Sequence, residues 1–435
     1  MPRLPAHQVT TRNLGAAYPF IAEAGLGQRG VVIGDDLLGG SFVFDPFELY
    51  AAGVVSNPNM VVFGQIGRGK SAFVKTFLWR QAVFGRRAWV VDPKGEYGDL
   101  ADAWGVRPVA LRPGGAIRLN PLDRGPETGA PGREGDDATA RRRTELLASL
   151  ASACLGRSLA PRERAALGAA LADTAVLAGH DPTVPQVVEA LLAPSAEAAR
   201  SLRTERRDLL EDGRDVALEL RRLVHGDLCG MFDGPTTPGL DLSAPLVVLD
   251  LSALYTSAAL GVLMACATAW LQAALARTAG LGGGPSPAST SAPGGGQFFL
   301  VVDEAWAILS NLGVARWLQS SWKLSRSFGV SNVAVLHRVS DLRSVGASDS
   351  EQVALAQGLL ADSETRVVYA QSPGELEAAT ELLSLSDTES DLLPQLRRGI
   401  ALWKVGQRSF LVQHRLSALE RRIVDTDAAM TATAR

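Results

Sequence analysis

The chain has 435 residues, 46% of them hydrophobic, with a formal net charge of -3. That length can bury one large core or two domains. The balance of charge excludes a disordered chain and a cationic footprint for nucleic acid or an anionic membrane, short of a basic pore lining hidden in the average. The cysteines Cys154, Cys229 and Cys266 lie far apart with no paired spacing, which points to a reducing compartment and away from a zinc site. The first residues lead into no apolar run, so no secretory leader is expected.

Residues 1–57 read as a lead-in, in which Gly30-Val-Val-Ile-Gly34 and Ser41-Phe-Val-Phe-Asp45 form a β-hairpin around the turn at 35–40. Such a hairpin covers a sheet edge or joins a ligand pocket; its sequence does not separate the two. Asn57-Pro-Asn59 then opens a first stretch of α/β core over 58–124. Here the apolar strand Met60–Phe63 runs into Gly64-Gln-Ile-Gly-Arg-Gly-Lys-Ser71, and Phe73, Val74, Phe77 and Leu78 follow at helical spacing up to Gly85. This is a phosphate-binding loop. Gly64, Gly67, Arg68, Gly69, Lys70, Ser71 and Ala72 present inward amides and a helix N-terminus, Lys70 is placed to reach β and γ phosphates, and the Ser71 hydroxyl to coordinate Mg²⁺.

A second core strand, Arg87–Val91, ends in Asp92-Pro-Lys-Gly-Glu-Tyr97. Asp92 or Glu96 could there touch Mg²⁺ or water, and the competing reading is a carboxylate that caps the turn around Pro93 and Gly95. A third strand is expected over Arg107–Leu111. After a Gly/Pro-rich loop the chain becomes helical, and an all-helical insertion is assigned to 125–244, with Leu146, Leu147, Leu150, Leu167, Leu171, Val187, Val188 and Leu191 on inner faces. Its charged faces point to solvent exposure first and to partner docking second. The core resumes over 245–435 with Pro245–Leu251. The uncharged stretch Thr256–Ala276 is Ala-rich and weakly apolar, so it reads as a buried helix and not a membrane span; 280–296 is a flexible linker by composition.

Phe298-Phe-Leu-Val-Val-Asp-Glu304 is an apolar strand ending in two acids. Asp303 is the expected Mg²⁺ ligand, and Glu304 the base that positions and polarises water; a module that only binds nucleotide has no use for the second acid. A helix with Trp317, Leu318, Trp322 and Leu324 follows. The strand Asn332–Leu336 then ends at His337, a candidate γ-phosphate sensor by position, against a histidine merely satisfied at a strand end. Arg326 and Arg408 are candidate cationic fingers acting across a subunit boundary, against ordinary surface arginines. Further strands are expected at Arg366–Ala370, Gly399–Trp403 and Ser409–Val412.

Asn57-Pro-Asn59, the loop 64–71, Asp92–Tyr97, Leu119-Asn-Pro121, Val302-Asp-Glu-Ala-Trp306, Ser325-Arg-Ser-Phe-Gly329 and Gly406-Gln-Arg-Ser409 occur in an order that resembles the motor domain of the conjugation and type IV secretion ATPases of the VirB/TraC/TrbE/CagE kind, within the HerA/FtsK superfamily of P-loop NTPases. The resemblance implies a RecA-like fold with a mainly parallel sheet flanked by helices. It also implies ATP and Mg²⁺ as cofactors, and hydrolysis by a homo-oligomer, hexameric or smaller, peripheral at the cytoplasmic face of the inner membrane. Channel proteins would be its partners. By position it assigns Lys70 and Ser71 to phosphate and metal, Asp303 to the metal, Glu304 to catalysis, and Arg326 or Arg408 to a neighbour's nucleotide. Two departures stand out: Leu336-His337 where the family often has Thr-Gln, and a short lead-in where its members commonly carry a large docking domain. The alternatives are a DNA translocase or coupling protein of the same superfamily, with DNA as partner, and a scaffold that binds ATP without turnover.

Overall fold

A computed structural model describes residues 25–124, 133–177, 181–281 except 227, 243, 256 and 258, then 296–309, 315, 316, 318, 319, 322, 329–337 and 351–424. The loop at 125–132, most of the linker 280–296, Trp317, Leu324 and Arg326 lie outside them.

The strands are β1 (Val31–Asp36), β2 (Ser41–Phe44), β3 (Met60–Phe63), β4 (Arg87–Asp92), β5 (Val109–Ala110), β6 (Leu246–Asp250), β7 (Phe298–Val302), β8 (Val330–Leu336), β9 (Thr365–Tyr369), β10 (Ile400–Val405) and β11 (Arg408–His414). They form one eleven-stranded sheet in the order β2-β1-β11-β10-β9-β3-β8-β7-β4-β6-β5. From β9 to β5 every pairing is parallel; from β9 outward to β2 every pairing is antiparallel. β3, β7 and most of β4 are unbroken apolar runs because both of their faces are covered, whereas β11, in the antiparallel wing, buries only Phe410 and Val412. Pro108 lacks an amide for the ladder, and the third strand expected at 107–111 shrinks to the two residues of β5. The hairpin caps the sheet edge: β1 pairs with β11, and β2 is outermost.

Two cores lie on opposite faces, divided by the period-2 alternation of the strands. On one face Met60, Val62, Ala88 and Val90 meet helices α1 (Pro46–Ala51), α2 (Lys70–Gln81) and α3 (Gly98–Ala103). Aromatic rings tie the hairpin down here: Phe42 and Phe44 each lie 5.0 Å from Trp403, and Phe73 packs on Trp403 at 5.1 Å. Each such ring, fully buried, stabilises by roughly 1.5–3 kcal/mol. Buried Arg86 ion-pairs with Asp45, whose other carboxylate oxygen caps α1 by accepting from Phe47 N at 2.9 Å.

On the other face Val61, Phe63, Trp89 and Val91 share one continuous core with the helices that intervene between β5 and β6: α4 (Arg133–Leu155), α5 (Pro161–Leu177), α6 (Val184–Leu192), α7 (Ala196–Ser201) and α8 (Arg206–His225). The Ala-rich helix, α9 (Leu260–Leu281), is buried against the same face and starts later than expected. Among the described residues no helix is long and apolar enough to cross a membrane. The chain continues through α10 (Trp306–Leu309), α11 (Glu351–Ala361), α12 (Leu376–Leu383), α13 (Asp387–Leu392) and α14 (Ala418–Val424).

Candidate functional site

The C-terminal ends of β3, β4, β7 and β8 lie side by side, so the residues that follow them meet in one crevice. After β3 the loop turns through Gly64, Gly67 and Gly69 at φ of 154°, 76° and 114°. Gly64 is pressed on Tyr369, where a Cβ would come within 2.4 Å of the tyrosine Cβ. Gly69 is the N-cap of α2, so Lys70, Ser71 and Ala72 occupy its first turn, where amides are unpaired within the helix. The Lys70 ammonium donates back to the carbonyl oxygens of Gly64 and, at 3.1 Å, Gln65. Arg68 turns sideways, its guanidinium reaching Gln65 Oε1 at 3.3 Å while its carbonyl accepts from Gly399 N at 3.0 Å. Gly399 O in turn accepts from His414 N at 2.8 Å, a backbone path from the phosphate loop to β11.

β8 sits between the strand of the phosphate loop and β7, which delivers Asp303 and Glu304. Asp303 is 5% exposed and accepts from Glu304 N at 2.9 Å. Glu304 adopts φ 52°, a left-handed conformation that costs an L-residue about 1–2 kcal/mol and turns its side chain off the strand. Its carboxylate collects three donors: Lys94 Nζ and His337 Nε2 (2.6 Å) on Oε1, and Trp306 Nε1 (2.5 Å) on Oε2. Lys94 Nζ and His337 Nε2 lie 3.2 Å apart because both aim at one oxygen, which assigns the imidazole proton to Nε2. Asp92 accepts from the amides of Lys94, Gly95 and Tyr97 at 3.2, 2.9 and 2.9 Å, so it shapes the loop that carries Lys94.

Electrostatics bind these groups into one unit. Burial lowers Lys70 to about 8, against the pull of Asp303 and Glu304 and with help from Lys94. Burial raises Asp303 to about 7, and the charges of Glu304 and Asp92 push the same way. Burial would raise Glu304 as well, but the combined hydrogen bonds from His337, Lys94 and Trp306 hold it down at about 2. Of the residues singled out from sequence, Lys70, Asp303, Glu304 and His337 therefore come together with Ser71 at the head of α2. Arg408 does not join them: it opens β11 opposite Val405, at the end of the sheet away from the phosphate loop. Lys94 was missed as a site residue. A lysine between Pro93 and Gly95 reads as an ordinary turn cation, and nothing local in the sequence pairs it with Glu304.

No protein-family model matches the sequence, and no curated protein matches it. Among solved structures, VirB4 of Thermoanaerobacter pseudethanolicus is similar with a TM-score of 0.71 at 22% identity, over 91% of this chain and 100% of that one. The plasmid coupling protein TrwB in complex with ADP and Mg²⁺ aligns with a TM-score of 0.51 at 16% identity, over 84% and 87% of the two chains. TrwB with the non-hydrolysable ATP analogue ADPNP gives 0.51 and 16% over 82% and 85%. The chain thus has the RecA-like α/β fold of the P-loop NTPases, shared with VirB4 and TrwB.

Proposed function

We propose that the chain is an Mg²⁺-dependent ATP hydrolase that works as the oligomeric motor of a conjugative DNA-transfer or type IV secretion apparatus. The observation that carries this reading is the convergence of the phosphate loop with Asp303, Glu304 and His337 at one end of the sheet. The residues fit a metal-bound triphosphate: a glycine-lined nest at a helix N-terminus, a buried lysine, and an acid whose raised affinity for protons a nearby cation would reverse. Bound there, Mg²⁺ would neutralise charge on the β and γ phosphates. Ser71 and Asp303 would hold it, Lys70 would pair with the phosphates, and Glu304 would orient water and take its proton as the γ phosphoryl leaves ADP. His337, at the tip of the intervening strand, would register the γ phosphate. The fold shared with VirB4 and the ordered motifs support the secretion motor, and with it a homo-oligomer docked on channel proteins at the cytoplasmic face of the membrane.

Lys70→Ala is expected to abolish ATP binding or turnover, and Glu304→Gln to retain binding while losing about 100-fold or more in kcat. Parental hydrolysis in either variant overturns the assignment. A DNA coupling protein is the second reading, favoured by the fold shared with TrwB. Strong, salt-sensitive stimulation of hydrolysis by DNA selects it.

A further inference from the structure

Lys94 is a half-buried cation to which the reaction just described gives no task. Its root is fixed: three amides of its loop are tied to Asp92, and Gly95, at φ 71°, packs so that a Cβ would lie 3.2 Å from Ser252 Cβ. Its head is fixed as well. The ammonium is ion-paired with Glu304 and lies 5.6 Å from the centre of the Tyr255 ring, with 21% of the side chain exposed against 2% for Glu304. The donors on Glu304 therefore arrive from separate elements: Lys94 from the end of β4, His337 from the end of β8, and Trp306 from the start of α10. Three χ angles of a glutamate are free in principle; two donors from strand ends remote in the chain, Lys94 and His337, and one from Trp306 two residues on determine them.

We infer that Lys94 is a positioning residue for hydrolysis, holding the Glu304 carboxylate in the orientation from which it meets the attacking water. The inference rests on the hydrolase reading above. A neutral side chain of similar length leaves His337 and Trp306 in place but removes the cation from Oε1, so the carboxylate swings and the water loses its partner. Nucleotide binding, built on the phosphate loop, stays.

The test uses the full chain with Lys94→Met and Lys94→Arg. Lys94→Met should lower kcat by about 10- to 100-fold, with KM and the affinity for a fluorescent ATP analogue within about twofold of the parent; Lys94→Arg should restore a substantial part. A readout free of turnover is the emission of Trp306, isolated as the difference between each protein and its Trp306→Phe version. Without nucleotide it should shift in Lys94→Met, because the indole's acceptor moves. Parental or faster turnover in Lys94→Met overturns the inference. So does an unchanged Trp306 emission, and so does a loss of ATP affinity in step with kcat, which would make Lys94 a phosphate ligand. Failure of the hydrolase reading is separate, since it is read on the parent alone: a parent without ATP turnover removes both.

Discussion

At the scale of single residues, the crevice is organised in part by groups whose polar atoms are spent on the protein itself. Asp92 is the clearest case. Buried at the end of β4, it spends both carboxylate oxygens on the amides of Lys94, Gly95 and Tyr97. Asp92→Ala should therefore cost about 1–3 kcal/mol of stability by leaving buried amides unpaired, seen as a lower midpoint in denaturant unfolding, and should slow turnover through the displaced Lys94. The residues proposed to hold phosphate were legible in the sequence because that chemistry needs particular side chains at set spacing: glycines for a curled loop, then Lys70 and Ser71. Asp303 and Glu304 could be read because their apolar run ending in two acids follows a phosphate loop in a chain of alternating strands and helices. Lys94 could not, since its partner Glu304 is remote in the chain and only the neighbouring of β4 and β7 brings them together. The two readings of Asp92 were equally consistent with a turn sequence, and only the three amide bonds separate them.

At the scale of elements, α2 is held to the antiparallel wing by groups that respond to acid. Thr76 in α2 lies 2.9 Å from His414 Nε2 at the end of β11, and Arg80 pairs with Glu420 of α14 at 2.6 Å. Burial lowers His414 from 6.5 to about 4, with Arg80 adding to the effect and Glu420 opposing it. The folded state thus prefers the neutral ring, so this contribution is whole above pH 6.5 and is lost as the pH falls toward about 4. Burial would raise Glu420, but the hydrogen bonds from Arg80 and Ser417 and the charge of Arg80 take it from 4.5 to about 2, so its contribution is whole above 4.5 and fades toward about 2. Asp303, raised to about 7, contributes the opposite slope over the same range in every variant, so the difference carries the test. Between pH 6.5 and 4 the stability of the parent should fall with acid more steeply than that of His414→Gln, by about one proton; an equal slope in both proteins rejects the account. Strand positions were legible from apolar runs, and their order was not. Nothing local in Gly30–Asp45 says that the hairpin joins β11, a partner that comes near only after the whole sheet is laid down.

At the scale of the molecule, the sheet has two ends with different uses. One carries the phosphate loop and its acids, and the other carries the turn between β10 and β11, with Arg408. A finger at that far end can serve only another subunit's nucleotide. If it does, Arg408→Ala should leave ATP affinity unchanged and lower kcat only at concentrations where light scattering shows assembly, by about 10³-fold or more for an arginine finger. An equal effect on dispersed subunits contradicts a role in trans. The helices between β5 and β6 share their core with the sheet, so a load placed on them reaches β4 and β6 directly. The thread from Arg68 O through Gly399 to His414 has a consequence of its own. It fastens the antiparallel wing of the sheet to the lip of the nucleotide nest by main-chain atoms alone, a coupling that no substitution short of a proline at Gly399 or His414 would cut, so whatever grips that wing also holds the rein on the cradle.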